Sequence, residues 1–181
     1  MKILELGCGN KKGCGCPYKG DIVGVDISPD SKADIIWNLE KFPYPFKNNE
    51  FDAVYIHHCL EHLEDTVKVM DQIWKITKPH GKVLILVPYG ASAWSLTNPT
   101  HKKFFNYATL TDFKGFKVLK CKYNYVHRGF PELQSWKGRL LRQLTKPMDW
   151  LINANPYIYD KILRHYLGDA DEIEWELEVI K

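Results

Sequence analysis

The sequence has no long hydrophobic run. Its longest strongly apolar stretch, residues 83–87, stops at Pro88, far short of the roughly 20 residues that a membrane-crossing helix needs. The opening Met1-Lys2-Ile3-Leu4-Glu5 leads straight into a strand-like segment and lacks the basic start and apolar core of a secretory leader. Cysteines are few and odd in number, five in 181 residues, which does not suit the disulfide framework of a small secreted domain. No excess of charge stands out either. Twenty-five Lys and Arg against 22 Asp and Glu leave +3, so a nucleic-acid partner would need a local basic patch. Internal repeats and low-complexity segments are also missing. What remains is 45% hydrophobic and 26% charged, an ordinary balance for a chain with material for one core. These absences predict a single domain over residues 1–181 and a reducing cytoplasm as its home.

What is there is a series of short apolar runs, each closed by a distinctive residue. Residues 3–6 end at Gly7-Cys8-Gly9-Asn10, residues 22–25 at Asp26, residues 33–37 at Asn38, and residues 52–56 at His57-His58. A fifth run, residues 82–87, follows a turn at Lys78-Pro79-His80-Gly81. Between the fourth and fifth, Leu63, Val67, Met70, Ile73 and Trp74 recur at helical spacing, which predicts an amphipathic helix over 63–77. Runs with little alternation suit strands covered on both faces, as in a parallel sheet. Residues 116–126 and 173–180 alternate instead, with Ile173, Trp175, Leu177 and Val179 on one side, and predict an antiparallel edge. Helices at 136–144 and 148–167, interrupted by Pro147 and Pro156, form a lid-like insertion at about 131–168. The fold class is α/β: an open, mostly parallel twisted sheet with helices on both faces and an antiparallel last strand.

In such sheets ligands sit at the carboxyl ends of the strands, beside a topological switch point. The closing residues therefore describe a pocket. Gly7 and Gly9 let a backbone approach a ligand closely. Asp26 can accept hydrogen bonds from both hydroxyls of a ribose, and Asn38 can read the edge of an adenine. A blander reading has the glycines only making a turn and Asp26 capping Ser28-Pro29. Cys8, Cys14 and Cys16 lack the paired spacing of a structural zinc motif, so no metal site is expected. Residues 136–166 mix Lys137, Arg139, Arg142, Lys146, Lys161 and Arg164 with Trp136, Trp150, Tyr157, Tyr159 and Tyr166. That mixture suits an amphipathic lid and leaves peripheral membrane contact open.

With these motifs in order, the chain resembles the class I S-adenosylmethionine-dependent methyltransferases, most closely the type 11 branch. The motifs are Leu4-Glu5-Leu6-Gly7-Cys8-Gly9, Val23-Gly24-Val25-Asp26-Ile27-Ser28, Asn38-Leu39-Glu40, His58-Cys59-Leu60-Glu61-His62-Leu63 and Lys78-Pro79-His80-Gly81-Lys82-Val83-Leu84. The resemblance covers roughly residues 3–116 and implies a Rossmann-like methyltransferase fold. It implies S-adenosyl-L-methionine as cofactor, S-adenosyl-L-homocysteine as product, and a small-molecule or lipid methyl acceptor. On matching positions, Glu5, Gly7 and Gly9 would face the methionine part, with Cys8 in the same loop. Asp26 would hold the ribose, Ile27 would pack on adenine, and Asn38 and Leu39 would meet the adenine edge. His57 and His58 would lie near the methionine carboxylate and sulfonium.

Two departures stand out. Residues 11–17, Lys-Lys-Gly-Cys-Gly-Cys-Pro, are poor helix formers, so the first helix is shortened or missing. Asn38 stands where the family often has an acid. Candidate general bases are His58, His62 and His101, because imidazole titrates near neutral pH. His58 and His62, four apart, would share a helical face or cap the helix that follows. The stretch from Asn98 to Phe105 is similar to a Pro-Thr-His segment of the family and is expected to border the acceptor. Two further readings stay open. One is a protein that binds the cofactor or its product without catalysis, favoured by the missing helix. The other is a nicotinamide-dependent oxidoreductase, disfavoured because Gly7-Cys8-Gly9-Asn10 lacks the third glycine of the dinucleotide fingerprint.

Overall fold

The short apolar runs pair into one sheet. The structure, a computed structural model, describes residues 1–126 and 135–181. Seven strands lie in the order β3-β2-β1-β4-β5-β7-β6: β1 Lys2–Leu6, β2 Asp21–Asp26, β3 Ile35–Ile36, β4 Phe51–His57, β5 Thr77–Pro88, β6 Phe116–Asn124 and β7 Glu172–Val179. The first five are parallel. β7 runs antiparallel between β5 and β6, as the alternating pattern predicts. Strand order reverses between β1 and β4, which makes their carboxyl ends the switch point.

Residues paired across the sheet share a face. Leu4, Val54, Val83 and Leu177 lie in one such row and are fully buried. Against this face packs α1, Thr66–Ile76, through Val69, Met70 and Ile73. Each such side chain contributes about 1.5–3 kcal/mol on burial. Further along the same face, Tyr123 pairs with Ile173, and Tyr159 stacks edge-on against Tyr123 at 4.7 Å. Buried residues of the later helices, Ile152 and Tyr159, thus join the same cluster.

The adjacent row on the other face is Glu5, Tyr55, Leu84 and Glu176. Over β1 and β4 this face carries coil where a first helix would lie, as expected from residues 11–17. Gly13 N–H donates to Glu5 Oε2 at 2.6 Å, and Tyr55 O–H donates to the Cys14 carbonyl at 3.4 Å. Gly9, Gly13 and Gly15 take positive φ values that tighten this segment into turns.

Several boundaries shift. The third strand shrinks to two residues. The helix expected over 63–77 begins at Thr66, because Asp65 accepts from Lys68 N–H at 2.9 Å and caps it. A separate 3-10 turn covers Leu60–His62. β5 already starts at Thr77, and the turn expected at 78–81 becomes a register irregularity opposite Phe51 and Ala53. The later helices are α2 Ala93–Thr97, α3 Trp136–Leu144, α4 Lys146–Ala154, α5 Pro156–Ile158 and α6 Arg164–Leu167, with a π turn over Tyr159–Leu163. Pro147 does not break a helix; it sits in the first turn of α4, where its missing N–H costs nothing. Residues 131–134, the start of the predicted insertion, lie outside the described residues. Among the described residues no helix is long and apolar enough to cross a membrane.

Candidate functional site

A cavity of about 480 Å³ opens at the carboxyl ends of β1, β2, β3 and β4. Gly7, Asp26, Ile27, Asn38, Leu39, His58 and His62 line it. All seven are residues that the sequence singles out. Gly7 takes φ +72°, and a Cβ there would meet Cys59 Sγ at 2.5 Å. Only glycine lets β1 turn this closely past the start of the 3-10 turn.

Asp26 serves both readings made of it. Its Oδ2 accepts from Gly9 N–H at 2.8 Å and its Oδ1 from Ser28 N–H at 2.9 Å. These bonds tie the glycine turn to the end of β2 and fix the carboxylate at the cavity wall. Each oxygen keeps a further lone pair for a ligand. Asn38 differs from expectation in its detail. Its Oδ1 accepts from Glu40 N–H at 2.8 Å, so one lone pair of that oxygen is engaged by its own turn and the other, with the amide NH2, is left for a ligand.

Four predicted residues stand back from the cavity. Glu5 is buried beneath the coil; burial raises its carboxyl above the ordinary range, and the Gly13 N–H offsets part of this. Cys8 is buried as well, and burial pushes its thiol up to about 11, which makes it unreactive. Gly9 faces Asp26 through its backbone. The His57 ring lies 5.9 Å from Tyr55 and 4.6 Å from His58, behind the lining.

The histidines are arranged otherwise than helical spacing implies. His58 sits before the 3-10 turn with φ +48°, so it shares no helical face with His62, and Asp65 is the cap instead of either. His58 Nε2 lies 2.8 Å from Glu172 Oε1, and Nδ1 lies 3.4 Å from Glu61 Oε1. Burial lowers its pKa, but these two carboxylates outweigh burial and raise it to about 9. At neutral pH His58 is therefore an imidazolium. It has no lone pair with which to take a proton, which removes it from the candidate bases. His62 and His101 pack edge-on with ring centres 4.9 Å apart.

Sequence reasoning missed Glu172, and took in Lys102 only as part of the 98–105 stretch expected to border the acceptor. Glu172 reaches His58 from 114 residues away, through the register of β7 on β5, and no local signal marks it. Lys102 lines the cavity and bridges Glu64 at 3.0 Å and Glu40 at 3.5 Å. Lys102 and Lys103 N–H groups both donate to the Glu61 carbonyl, which fastens the 98–105 stretch to the 3-10 turn. A second cavity, about 350 Å³, has walls from Tyr89, Phe104, Phe105, Asp160, Lys161 and Arg164. Phe105 is buried and packs on Trp175, whereas Phe104 stays exposed at the rim.

Residues 4–85 match the family described as a methyltransferase domain, which takes in the end of β1, the glycine turn, Asp26, Asn38 and His58. That match spans a little less than half of the chain, and over this part the chain is similar to methyltransferases. Over 47 residues it is 47% identical to phosphoethanolamine N-methyltransferase 2 of Caenorhabditis elegans, covering 26% of this chain and 10% of that protein. Over 177 residues it is 24% identical to norajmaline N-methyltransferase of Rauvolfia serpentina, covering 86% and 56%. The chain thus spans little more than half of the longer of these matches. A crystal structure of an S-adenosylmethionine-dependent methyltransferase from Archaeoglobus fulgidus has the same fold, with TM-score 0.65, 21% identity, and coverage of 98% of this chain and 85% of that one.

Proposed function

We propose that this chain transfers the methyl group of S-adenosyl-L-methionine to a small-molecule or lipid acceptor, leaving S-adenosyl-L-homocysteine. The observation that carries this reading is the meeting of Gly7, Asp26, Asn38 and His58, from four strand ends, around one cavity at the switch point. The residues fit the cofactor. The glycine turn leaves open a place that a Cβ would block, and a carboxylate held by two backbone N–H groups suits a ribose diol. Bound there, the cofactor supplies a sulfonium methyl for in-line displacement.

The protein's own part is alignment and exclusion of water. Ile27 and Leu39 give the cavity apolar wall on either side of Asp26 and Asn38. His58, as an imidazolium, holds Glu172 of β7 to the end of β4 and presents positive charge where the methionine carboxylate is expected.

Residues 136–167 act in this reading as a cover over the acceptor side. Asn153 of α4 accepts from Tyr123 N–H at 2.7 Å, and Asp149 from Tyr125 N–H at 2.8 Å, which docks α4 on the end of β6. Asp160, Lys161 and Arg164 then wall the second cavity. These helices expose Leu144, Trp150 and Tyr166, and Arg139 and Lys146 are exposed as well. Apolar side chains among cations suit an anionic lipid surface, and support delivery of a lipid-borne acceptor.

Incubation with methyl-labelled donor and fractionated metabolite and lipid extracts tests the activity. Label is expected in an acceptor, in the lipid fraction if the outer helices dock on a membrane. Label that stays on the donor across all fractions would favour a protein that binds the cofactor without catalysis.

A further inference from the structure

A buried carboxylate stands at the edge of the cavity, with the His58 imidazolium on one side of it. Glu61 is 1% exposed, and neither of its carboxylate oxygens accepts a hydrogen bond. Two ring nitrogens stand near Oε1: His58 Nδ1 at 3.4 Å and His62 Nε2 at 3.9 Å. The His58 imidazolium supplies a counter-charge, but with no hydrogen bond of good geometry made to either oxygen the carboxylate keeps lone pairs for a ligand.

The two histidines beside it are pre-set as ligands. His101 Nδ1 lies 2.9 Å from the Ser95 carbonyl. A carbonyl only accepts, so Nδ1 carries the proton, and in the neutral ring Nε2 keeps the lone pair. His62 Nδ1 lies 3.1 Å from the Thr100 carbonyl and 3.1 Å from Thr100 Oγ1. The Thr100 hydroxyl donates to Asn98 Oδ1 at 2.7 Å, so it too is an acceptor for His62. Both imidazoles are therefore held in the tautomer that aims Nε2 outward, by the backbone-carbonyl contact that metal-ligating histidines usually make through their other nitrogen.

One ligand atom each from Glu61, His62 and His101 lie within 4.8 Å of one another. Ligands of a tetrahedral zinc ion sit about 3.3 Å apart, given Zn–N and Zn–O distances of about 2.0–2.1 Å. Side-chain rotation of little more than an ångström closes the difference. The backbone beneath is rigid, since the Glu61 carbonyl receives the Lys102 and Lys103 N–H groups.

We propose that Glu61, His62 and His101 form a binding site for a divalent transition-metal ion, with zinc as the best match to two imidazoles and a carboxylate. Three protein ligands leave a fourth position open. His62 lines the 480 Å³ cavity, so the open position is within reach of an oxygen, nitrogen or sulfur of a bound small molecule. The site stands on its own geometry and does not depend on methyl transfer.

Zinc titrated into chelator-treated protein, followed by calorimetry, tests this directly, and cobalt serves as a spectroscopic probe. One equivalent of zinc is expected to bind, and cobalt to give the intense visible bands of a tetrahedral complex. Glu61→Gln, which keeps the shape, and His101→Ala, at a partly exposed position, are each expected to weaken binding by at least tenfold. Melting temperature measured without metal verifies that both variants fold. A Cys14→Ser/Cys16→Ser variant is expected to bind zinc as the wild type does. Absence of stoichiometric binding, or binding lost with the cysteines and kept in His101→Ala, would overturn the proposal.

Discussion

The two faces of the central strands are built on different principles. On one face, Leu4, Val54, Val83 and Leu177 stand in register under α1, and every one is fully buried. On the other, Glu5, Tyr55, Leu84 and Glu176 stand in register under a coil stitched on by single hydrogen bonds. The first face carries the stability, and the second gives up a helix to leave the glycine turn short. Both meet at the carboxyl ends of the strands, where the cavity opens. The sheet keeps a cavity at the carboxyl ends of its strands while one covering layer is reduced to turns.

The largest expected effect sets the faces against each other. Leu177→Ala is predicted to cost about 2–5 kcal/mol of unfolding free energy, the range for emptying a packed core position. Glu176→Ala, its neighbour on the opposite face, is predicted to cost under about 1 kcal/mol. Denaturant unfolding of the two variants measures the difference, and equal losses would break the distinction.

Next in size is the glycine turn. Gly7→Ala introduces a Cβ against Cys59 at a positive φ, for about 1–3 kcal/mol of strain, and is expected to abolish tight cofactor binding. At Gly9, also with positive φ, nothing lies within 4 Å of an added Cβ. There only the backbone penalty of about 1–2 kcal/mol applies. Thermal unfolding of both variants with and without ligand separates packing from conformation.

How far this was legible beforehand follows the same division. The one-sided pattern of β7 and the closing residues Gly7, Asp26, Asn38 and His58 are local signals, and they identify the sheet and its ligand end. The reduction of the first helix is also local, because Lys11-Lys12-Gly13-Cys14-Gly15-Cys16-Pro17 cannot hold a helix in so short a span. What stayed hidden depends on sheet register. Glu172 reaches His58 only because β7 lies antiparallel on β5, and that contact turns a candidate base into an imidazolium. Asp65 capping α1 displaced both histidines from the helical role that their spacing implies. The gathering of Glu61, His62 and His101 needs the 98–105 stretch folded back on the 3-10 turn, which no spacing in the chain announces.

A smaller effect is expected at Asp26. Its carboxylate faces the cavity while two backbone N–H groups hold it. Asp26→Ala should weaken cofactor binding by at least tenfold, about 1.4 kcal/mol. Smallest of all, Trp150→Ala on the exposed side of α4 should reduce partition onto vesicles of anionic lipid several-fold without lowering cofactor affinity. Sedimentation with vesicles checks it, and unchanged partition would detach the outer helices from any membrane role.

The account rests on one cavity receiving one adenosine-bearing sulfonium compound. Calorimetry with S-adenosyl-L-methionine, S-adenosyl-L-homocysteine and NAD, on wild type and Asp26→Ala, addresses it most directly. The account predicts that both adenosyl compounds bind the wild type, that Asp26→Ala weakens both, and that NAD gives no heat of binding. Binding of NAD without binding of the methyl donor would contradict it.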